Sequence, residues 1–336
     1  MIRTRLPIFF SVAVFLVLLN YPAAWPQPIQ KYAVYFASCS PPRDTSPSIT
    51  LRSFERDGKR FFLSVDCGTL DTRVIERDDR RCKPGTLKVL RNKYARTPYA
   101  LALDKAERTS AHALDAGIVR GEETEHGFDL TADLCPSKRP LERTFFTDLL
   151  RMFLPEEKPV PIAVAVTGNW MYKHRDDLQW LRSLADSGEL AITWINHSYN
   201  HRFRDSVPLE RNFLADTATD LNVEVLDTER KMLENGITPS VFFRFPGLVS
   251  DSLVFRRITA YGLIPVGSDA WIAKNQNPRN GSIVLVHANG NEPYGIKRFF
   301  ELLKEHRDSI TAGRWLLYDL RGSVASEAAP RAGDHK

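Results

Sequence analysis

Residues 127–136 read GFDLTADLCP: an apolar run over 128–132 that ends on an aspartate, Asp133, and gives way to a proline. Comparable runs recur at 162–167, 190–195, 240–244, 263–267, 283–287 and 315–319. Between them lie longer amphipathic stretches at 141–153, 176–187, 209–235, 252–261 and 296–307. Short apolar runs alternating with helical periodicity are the pattern of parallel strands covered by helices. The pattern predicts an α/β fold, a distorted (β/α) barrel of about seven parallel strands, with functional residues at the strands' C-terminal ends.

Upstream the pattern differs. Residues 49–75 alternate apolar and polar side chains around the turn signal Arg56-Asp57-Gly58, predicting a small β-rich N-terminal extension. Residues 38–47, rich in Ser and Pro, read as a linker or loop, and 101–116 carry a helical period that fits either unit. The chain thus divides into an accessory region at 31–122, to which the sequence assigns no role, with its boundary near Glu122, and a barrel at 123–321. The tail at 322–336 is small, polar and aperiodic, and reads as disordered.

The first residues have the shape of a secretory signal over 1–24: Arg3 and Arg5 precede an apolar run at 6–19 broken only by Pro7 and Ser11. Such a run reaches about 21 Å as a helix, short of the roughly 30 Å of a bilayer core, so export is expected, to the periplasm or beyond the cell. Membrane attachment follows only if the segment is uncleaved. Over the whole chain of 336 residues, 43% hydrophobic and 26% charged side chains fit a globular protein and exclude disorder, collagen and long coiled coil. Without Arg3 and Arg5, 44 basic residues face 41 acidic ones, and no block of like charge forms a phosphate-tracking stripe. Nucleic acid is not an expected partner, and no stable protein partner is inferred. The cysteines Cys39, Cys67, Cys82 and Cys135 permit disulfides in an oxidising compartment, in three complete connectivities. Cys67 with Cys82 is favoured, because the two flank one strand-turn unit.

Ionisable residues recur where the barrel strands end: Asp133, His197, His201, Arg244, Asp269 and His287. In His197-Ser198-Tyr199-Asn200-His201, a four-residue spacing puts two imidazoles on one side of a helical turn, where they can grip one metal ion. Each residue also has a plainer reading. The histidines could cap a helix at the surface, Asp133 and Asp269 could be helix caps, and Arg244 could be a structural ion-pair partner. His287, Trp271 and Leu285 could belong to the core, and Cys135 could be a structural thiol.

Five motifs, in order, resemble those of the polysaccharide deacetylase family, carbohydrate esterases that share the NodB homology domain. Leu130-Thr131-Ala132-Asp133-Leu134-Cys135-Pro136 is similar to the first, commonly Leu-Thr-Phe-Asp-Asp-Gly-Pro, and His197 to His201 matches the second. Arg244-Phe245-Pro246-Gly247, Ser268-Asp269-Ala270-Trp271 and Leu285-Val286-His287 resemble the others, and the likeness covers roughly residues 127 to 320. The resemblance implies a divalent metal, usually zinc, with cobalt or another transition metal as substitutes, held by His197, His201 and an acid. It also implies an acetylated glycan as substrate. Asp133 would be the general base that takes a proton from water, tuned by Arg244. The backbone N–H of Gly247 would stabilise the oxyanion, and His287, aligned by Asp269, would protonate the departing amine. Trp271 and Leu285 would form the pocket for the acetyl methyl.

One departure stands out. The family's second aspartate, its usual third metal ligand, is Leu134 here, and the adjacent glycine position is Cys135. Asp133 could bind metal itself, the Cys135 thiolate could do so, or two protein ligands plus waters could serve. Asp129 is no substitute, because four residues of strand separate it from Asp133 by about 13 Å. The expected activity is exported, metal-dependent removal of N-acetyl, or else O-acetyl, groups from a polysaccharide or peptidoglycan-type glycan. The alternatives are a catalytically silent glycan-binding pseudoenzyme and a metal-independent hydrolase of another C–N bond on the same fold.

Overall fold

The computed structural model describes residues 28–39, 46–77, 82–121 and 126–328. The expected signal segment and the boundary at Glu122 lie outside the described residues.

Five strands form an antiparallel N-terminal sheet: β1 (Gln30–Cys39), β2 (Ser48–Arg56), β3 (Lys59–Asp66), β4 (Thr72–Glu76) and β5 (Cys82–Pro84), in the order β4-β3-β2-β1-β5. The β2–β3 hairpin turns on Asp57 (φ 52°) and Gly58 (φ 74°), the left-handed pair that a two-residue hairpin turn demands. Register corrects the expected disulfide. Antiparallel pairing of β1 with β5 sets Cys39 directly opposite Cys82, and these two are bonded, while Cys67 is a free, buried thiol. The loop expected at 38–47 is shorter at its start, since Ser38 and Cys39 close β1; residues 40–45 lie outside the described residues. Two helices follow, α1 (Leu87–Lys93) and α2 (Pro98–Glu107). The helical period expected over 101–116 is thus realised earlier, because Pro98 opens α2. Beyond it the backbone is left-handed at Asp115 and positive at Gly117.

The barrel strands are β6 (Gly127–Leu134), β7 (Val160–Val166), β8 (Leu190–Asn196), β9 (Phe242–Phe243), β10 (Ile264–Pro265), β11 (Ala270–Trp271), β12 (Ile283–His287) and β13 (Leu316–Leu317). Their order is β10-β9-β8-β7-β6-β12-β11, all parallel, with β13 beside the start of β6. Between β10 and β12, Ile118 bridges to Val266 and Arg120 to Ser282, so the segment after α2 plugs the open side of the barrel. All seven expected strands are present, three of them cut to two residues, and β11 was not foreseen. The helices are α3 (Arg143–Met152), α4 (Gly168–Lys173), α5 (Arg175–Asp186), α6 (Thr228–Glu234), α7 (Ser252–Ala260), α8 (Pro293–Glu305), α9 (Arg307–Thr311) and α10 (Leu320–Ala328). Of the single helix expected over 209–235, the first part is broken into short turns, with Phe213 at φ 52°, and helix begins only at 221, running through a π-helical stretch (Val223–Asp227) into α6. The tail expected to be disordered from 322 instead continues α10 to Ala328, burying Val324 and Ala325; residues 329–336 lie outside the described residues. Among the described residues no helix is long and apolar enough to cross a membrane.

Strand alternation sorts the side chains into two cores. Leu130, Leu134, Ile162, Val164 and Val286 meet Phe145, Phe146 and Leu149 of α3 outside the sheet. On the inner face, Ala163, Ala165, Ile195 and Ile283 share a core with Leu51 and Val65 of the N-terminal sheet, Tyr99 of α2 and Leu320 of α10. The accessory region therefore packs into the barrel. A buried ion pair crosses the seam: Arg52 of β2 grips Glu229 of α6 through Nε (2.7 Å) and Nη2 (3.0 Å), and the Tyr32 hydroxyl donates to the same carboxylate at 2.8 Å.

Candidate active site

Because side chains alternate, a strand whose apolar residues face α3 must turn its remaining side chains inward. On β6 these are Asp129, Thr131 and Asp133. Parallel register then sets Asp133 beside His287 of β12 and Ala165 of β7, while Asn196 of β8 pairs with Phe243 of β9. The residues just past those ends, His197 and Arg244, join the same rim. The rim opens into a cleft of about 1040 Å³ whose lining includes Asp133, Cys135, His197, His201, Gly247 and His287.

Arg244 is fully buried, and its guanidinium fixes Asp133. Nη1 donates to Thr131 Oγ1 (2.6 Å) and Asp133 Oδ1 (3.0 Å), and Nη2 donates to the Gly267 carbonyl (2.9 Å). The second carboxylate oxygen, Oδ2, stands 3.6 Å from His197 Nε2. One oxygen is clamped and the other faces the histidines.

His197 Nδ1 pairs with the Arg244 carbonyl at 2.9 Å, which leaves Nε2 to face the site, 3.5 Å from Cys135 Sγ. His201 meets His197 edge-on, ring centroids 4.9 Å apart, and its buried Nε2 has no hydrogen-bond partner among the described residues. Donor atoms of Cys135, His197 and His201 all lie within 4.8 Å of one another, so the three could hold one metal ion. The histidine pair does not lie on a helical turn, as its spacing suggested. It sits on a loop with Ser198 at φ 69° and His201 at φ 49°. Two supports hold that loop. The buried Glu224 carboxylate accepts from the N–H groups of Tyr199 and Asn200, both at 2.9 Å, and from Asn200 Nδ2 at 2.8 Å. From the other side, Gly168 and Asn169 donate to the Ser198 and Tyr199 carbonyls. Gly168 has to be glycine, since a Cβ there would lie 2.2 Å from the Tyr199 ring.

Burial opposes ionisation of the Cys135 thiol, yet His201, His287 and His197 around it drive its pKa well below the ordinary thiol range. His197 is raised in turn: burial works against its charged form, and Asp133 and Cys135 outweigh it. Leu134 faces away, fully buried in the core beside α3.

His287 Nδ1 stands 2.8 Å from Glu292 Oε2, and Trp271 Nε1 donates to that same oxygen at 2.8 Å. Burial opposes the charge of His287, but Cys135, Glu292 and Asp133 hold its pKa well above the ordinary imidazole value. Glu292, not Asp269, is thus the acid that stands beside this histidine. Ser268 bonds to the Ile283 carbonyl and Ala270 pairs with Val284, so the residue between them points elsewhere. Asp269 faces Arg120 (3.4 Å) and Arg279 (3.9 Å), and burial raises its pKa. Sequence reasoning missed Glu292 because an acid just before Pro293 and α8 reads as a helix-capping residue. Trp271 and Leu285 line the cleft as expected, with the Trp271 ring 5.6 Å from that of His287 and Lys274 Nζ 3.4 Å above it. Gly247, at φ 60°, lies against Phe213, where a Cβ would approach the ring to 2.5 Å.

No family model matches the chain. Among solved structures it is similar to a family 4 carbohydrate esterase from Bacillus anthracis, at 20% identity over 66% of this chain and 91% of that one, TM-score 0.46. It is similar to the Bc1960 peptidoglycan N-acetylglucosamine deacetylase at 15% identity, over 61% and 91% of the two chains, TM-score 0.46. A third is BA3943, a family 4 pseudoenzyme from Bacillus anthracis, at 15% identity over 62% and 69%, TM-score 0.40. The structural neighbours are thus family 4 carbohydrate esterases and peptidoglycan deacetylases, pseudoenzymes included, at low identity.

Proposed function

We propose that this chain is an exported, metal-dependent hydrolase that removes N-acetyl, or else O-acetyl, groups from a polysaccharide or peptidoglycan-type glycan. The observation that carries the reading is the pairing across one cleft of two oriented proton-transfer groups: Asp133, clamped by the buried Arg244, and His287, set against Glu292. Asp133 takes a proton from the attacking water. His287, held charged by its neighbours, returns a proton to the departing amine, which an amide needs because its unprotonated nitrogen is too basic to leave. Gly247, Trp271 and Leu285 line the cleft; the Gly247 N–H would stabilise the charge that develops only in the tetrahedral transition state, and Trp271 with Leu285 would receive the acetyl methyl. A metal bound by the His197, His201 and Cys135 group would polarise the scissile carbonyl and acidify water.

The test is acetate release from N-acetylglucosamine oligomers with added zinc or cobalt, repeated after chelation. Release is expected with metal and not without it. Absence of metal-dependent acetate with any acetylated glycan rejects the reading.

A further inference from the structure

Of the carboxylates near the two histidines, Asp133 keeps one oxygen, Oδ2, facing His197 Nε2 at 3.6 Å, but it is not one of the three donors that all lie within 4.8 Å of one another; the others are committed. Asp133 Oδ1 is bound by Arg244, and Glu224 divides its two oxygens among the N–H groups of the histidine loop. Glu292 serves His287 and Trp271, and Asp129, farther down β6, accepts from Ser323. Leu134 presents its side chain to the helix layer, so even an aspartate there would have to leave that core to reach the site. What the chain does turn inward is the next residue. Cys135 is 7% exposed, with Sγ 3.5 Å from His197 Nε2. Zinc–sulfur and zinc–nitrogen bonds of about 2.3 and 2.05 Å at a tetrahedral angle place the two ligand atoms about 3.6 Å apart, so the observed separation, here that of a thiol–imidazole hydrogen bond, also fits two ligands sharing one ion. His201 Nε2, buried and unpartnered among the described residues, completes the triangle.

We infer that the Cys135 thiolate takes the place of a carboxylate as third protein ligand, making His197, His201 and Cys135 a thiolate metal centre that prefers zinc or cobalt(II) to hard cations. The inference rests on the metal-hydrolase reading for the purpose of the ion, not for its binding. Thiolate carries the same single negative charge as a carboxylate, so the charge balance of the site is kept while its softness shifts, which disfavours magnesium, calcium and manganese. Ligation also hides the sulfur. Metal-loaded protein should resist iodoacetamide at Cys135, and metal-stripped protein should not. The other free thiol, Cys67, is an internal control, fully buried and pushed up to about 12 by burial and by Asp66.

The experiment loads full-length protein with cobalt(II) and records the near-ultraviolet sulfur-to-cobalt charge-transfer band alongside metal stoichiometry. One ion per chain with the band is expected. Cys135→Ser should abolish the band and weaken zinc binding at least tenfold, while Cys135→Asp should recover binding without the band and relax the preference toward manganese. Circular dichroism confirms that each variant is folded. Cobalt bound without the band, or zinc held equally well by folded Cys135→Ser, overturns the inference and leaves the deacetylase reading standing. Acetate release that survives chelation, with the band present, sinks the deacetylase reading and leaves the thiolate centre standing. Wild-type protein that takes up neither cobalt nor zinc overturns both.

Discussion

Strand β6 carries two aspartates on one face, and they meet different surroundings. At the closed end of the barrel, Asp129 is fully buried, and its hydrogen-bond donor is the neutral Ser323 hydroxyl, 2.8 Å from each oxygen; burial holds its pKa well above the usual carboxylate range. At the open end, Asp133 has a guanidinium on one oxygen and an imidazole near the other. A second contrast runs between the two arginines that are fully buried among the described residues, Arg52 and Arg244. Arg52 binds one carboxylate bidentately and two carbonyls besides, with no role left over. Arg244 holds Asp133 by one oxygen only, beside a histidine pair in which His201 Nε2 has no hydrogen-bond partner among the described residues. Buried charge alone does not mark a functional site. What marks it is buried charge whose partners are incomplete on the side that faces a cleft.

The sharpest way to break this comparison is to make the same change at both ends of β6. Asp133→Asn removes the proposed base and should lower acetate release by about 10³-fold, within the range that general-base removal costs. Asp129→Asn should leave kcat/KM within about twofold. Equal losses from both variants would mean that the two ends are not functionally distinct.

The arginine contrast predicts a loss of stability without a loss of chemistry. Glu229→Ala strands the Arg52 guanidinium in the seam and should cost about 3–5 kcal/mol in urea unfolding, with turnover per folded molecule unchanged. Replacing both partners, Arg52→Met with Glu229→Leu, should restore most of it, because the uncompensated charge is then gone. A double variant no more stable than Glu229→Ala would point to packing rather than charge.

The assignment of Glu292 gives a smaller, sharper test. Glu292→Gln should reduce kcat by about 10- to 100-fold and narrow the alkaline limb of the pH–rate profile, since His287 loses a partner that favours its charged form. Asp269→Asn, which removes an acid facing Arg120 and Arg279, should change kcat less than threefold. The reverse result would return Asp269 to the role that the sequence suggested.

The long-range plan of the barrel was legible because it depends on periodicity, and the seven strand runs supplied it. The convergence of Asp133, His197, His201, Arg244 and His287 was legible too, since each ends a strand or lies just beyond one. Details set by local backbone were not. Glu292 rather than Asp269 stands beside His287, because Ser268 and Ala270 both turn toward β12, which a motif cannot reveal. The disulfide followed sheet register rather than closeness in sequence. Glu224 and Gly168 support the histidine loop from elements far along the chain, and nothing near either residue in sequence points to that loop. The tail looked disordered because its apolar residues Val324 and Ala325 form a face, with Leu320 just before them, only once α2 and the N-terminal sheet supply a core to meet.

The smallest effect concerns Asp129 itself, through the dependence of stability on pH. Unfolded, its carboxyl titrates near the usual value of about 4; folded, burial without a positive partner raises it well above that. Between those two values the folded chain binds more protons than the unfolded one, so stability falls as pH rises through that window, by up to about 1.4 kcal/mol per pH unit. Below the window both states are protonated and there is no penalty. Asp129→Asn keeps the shape and the hydrogen-bonding partner Ser323 but has no proton to lose, so its urea midpoint should decline less than that of wild type between pH 5 and 7. Parallel curves for the two proteins would show that Asp129 is ionised in the folded state, and the contrast between the two ends of β6 would then need a cation near Ser323 that balances it.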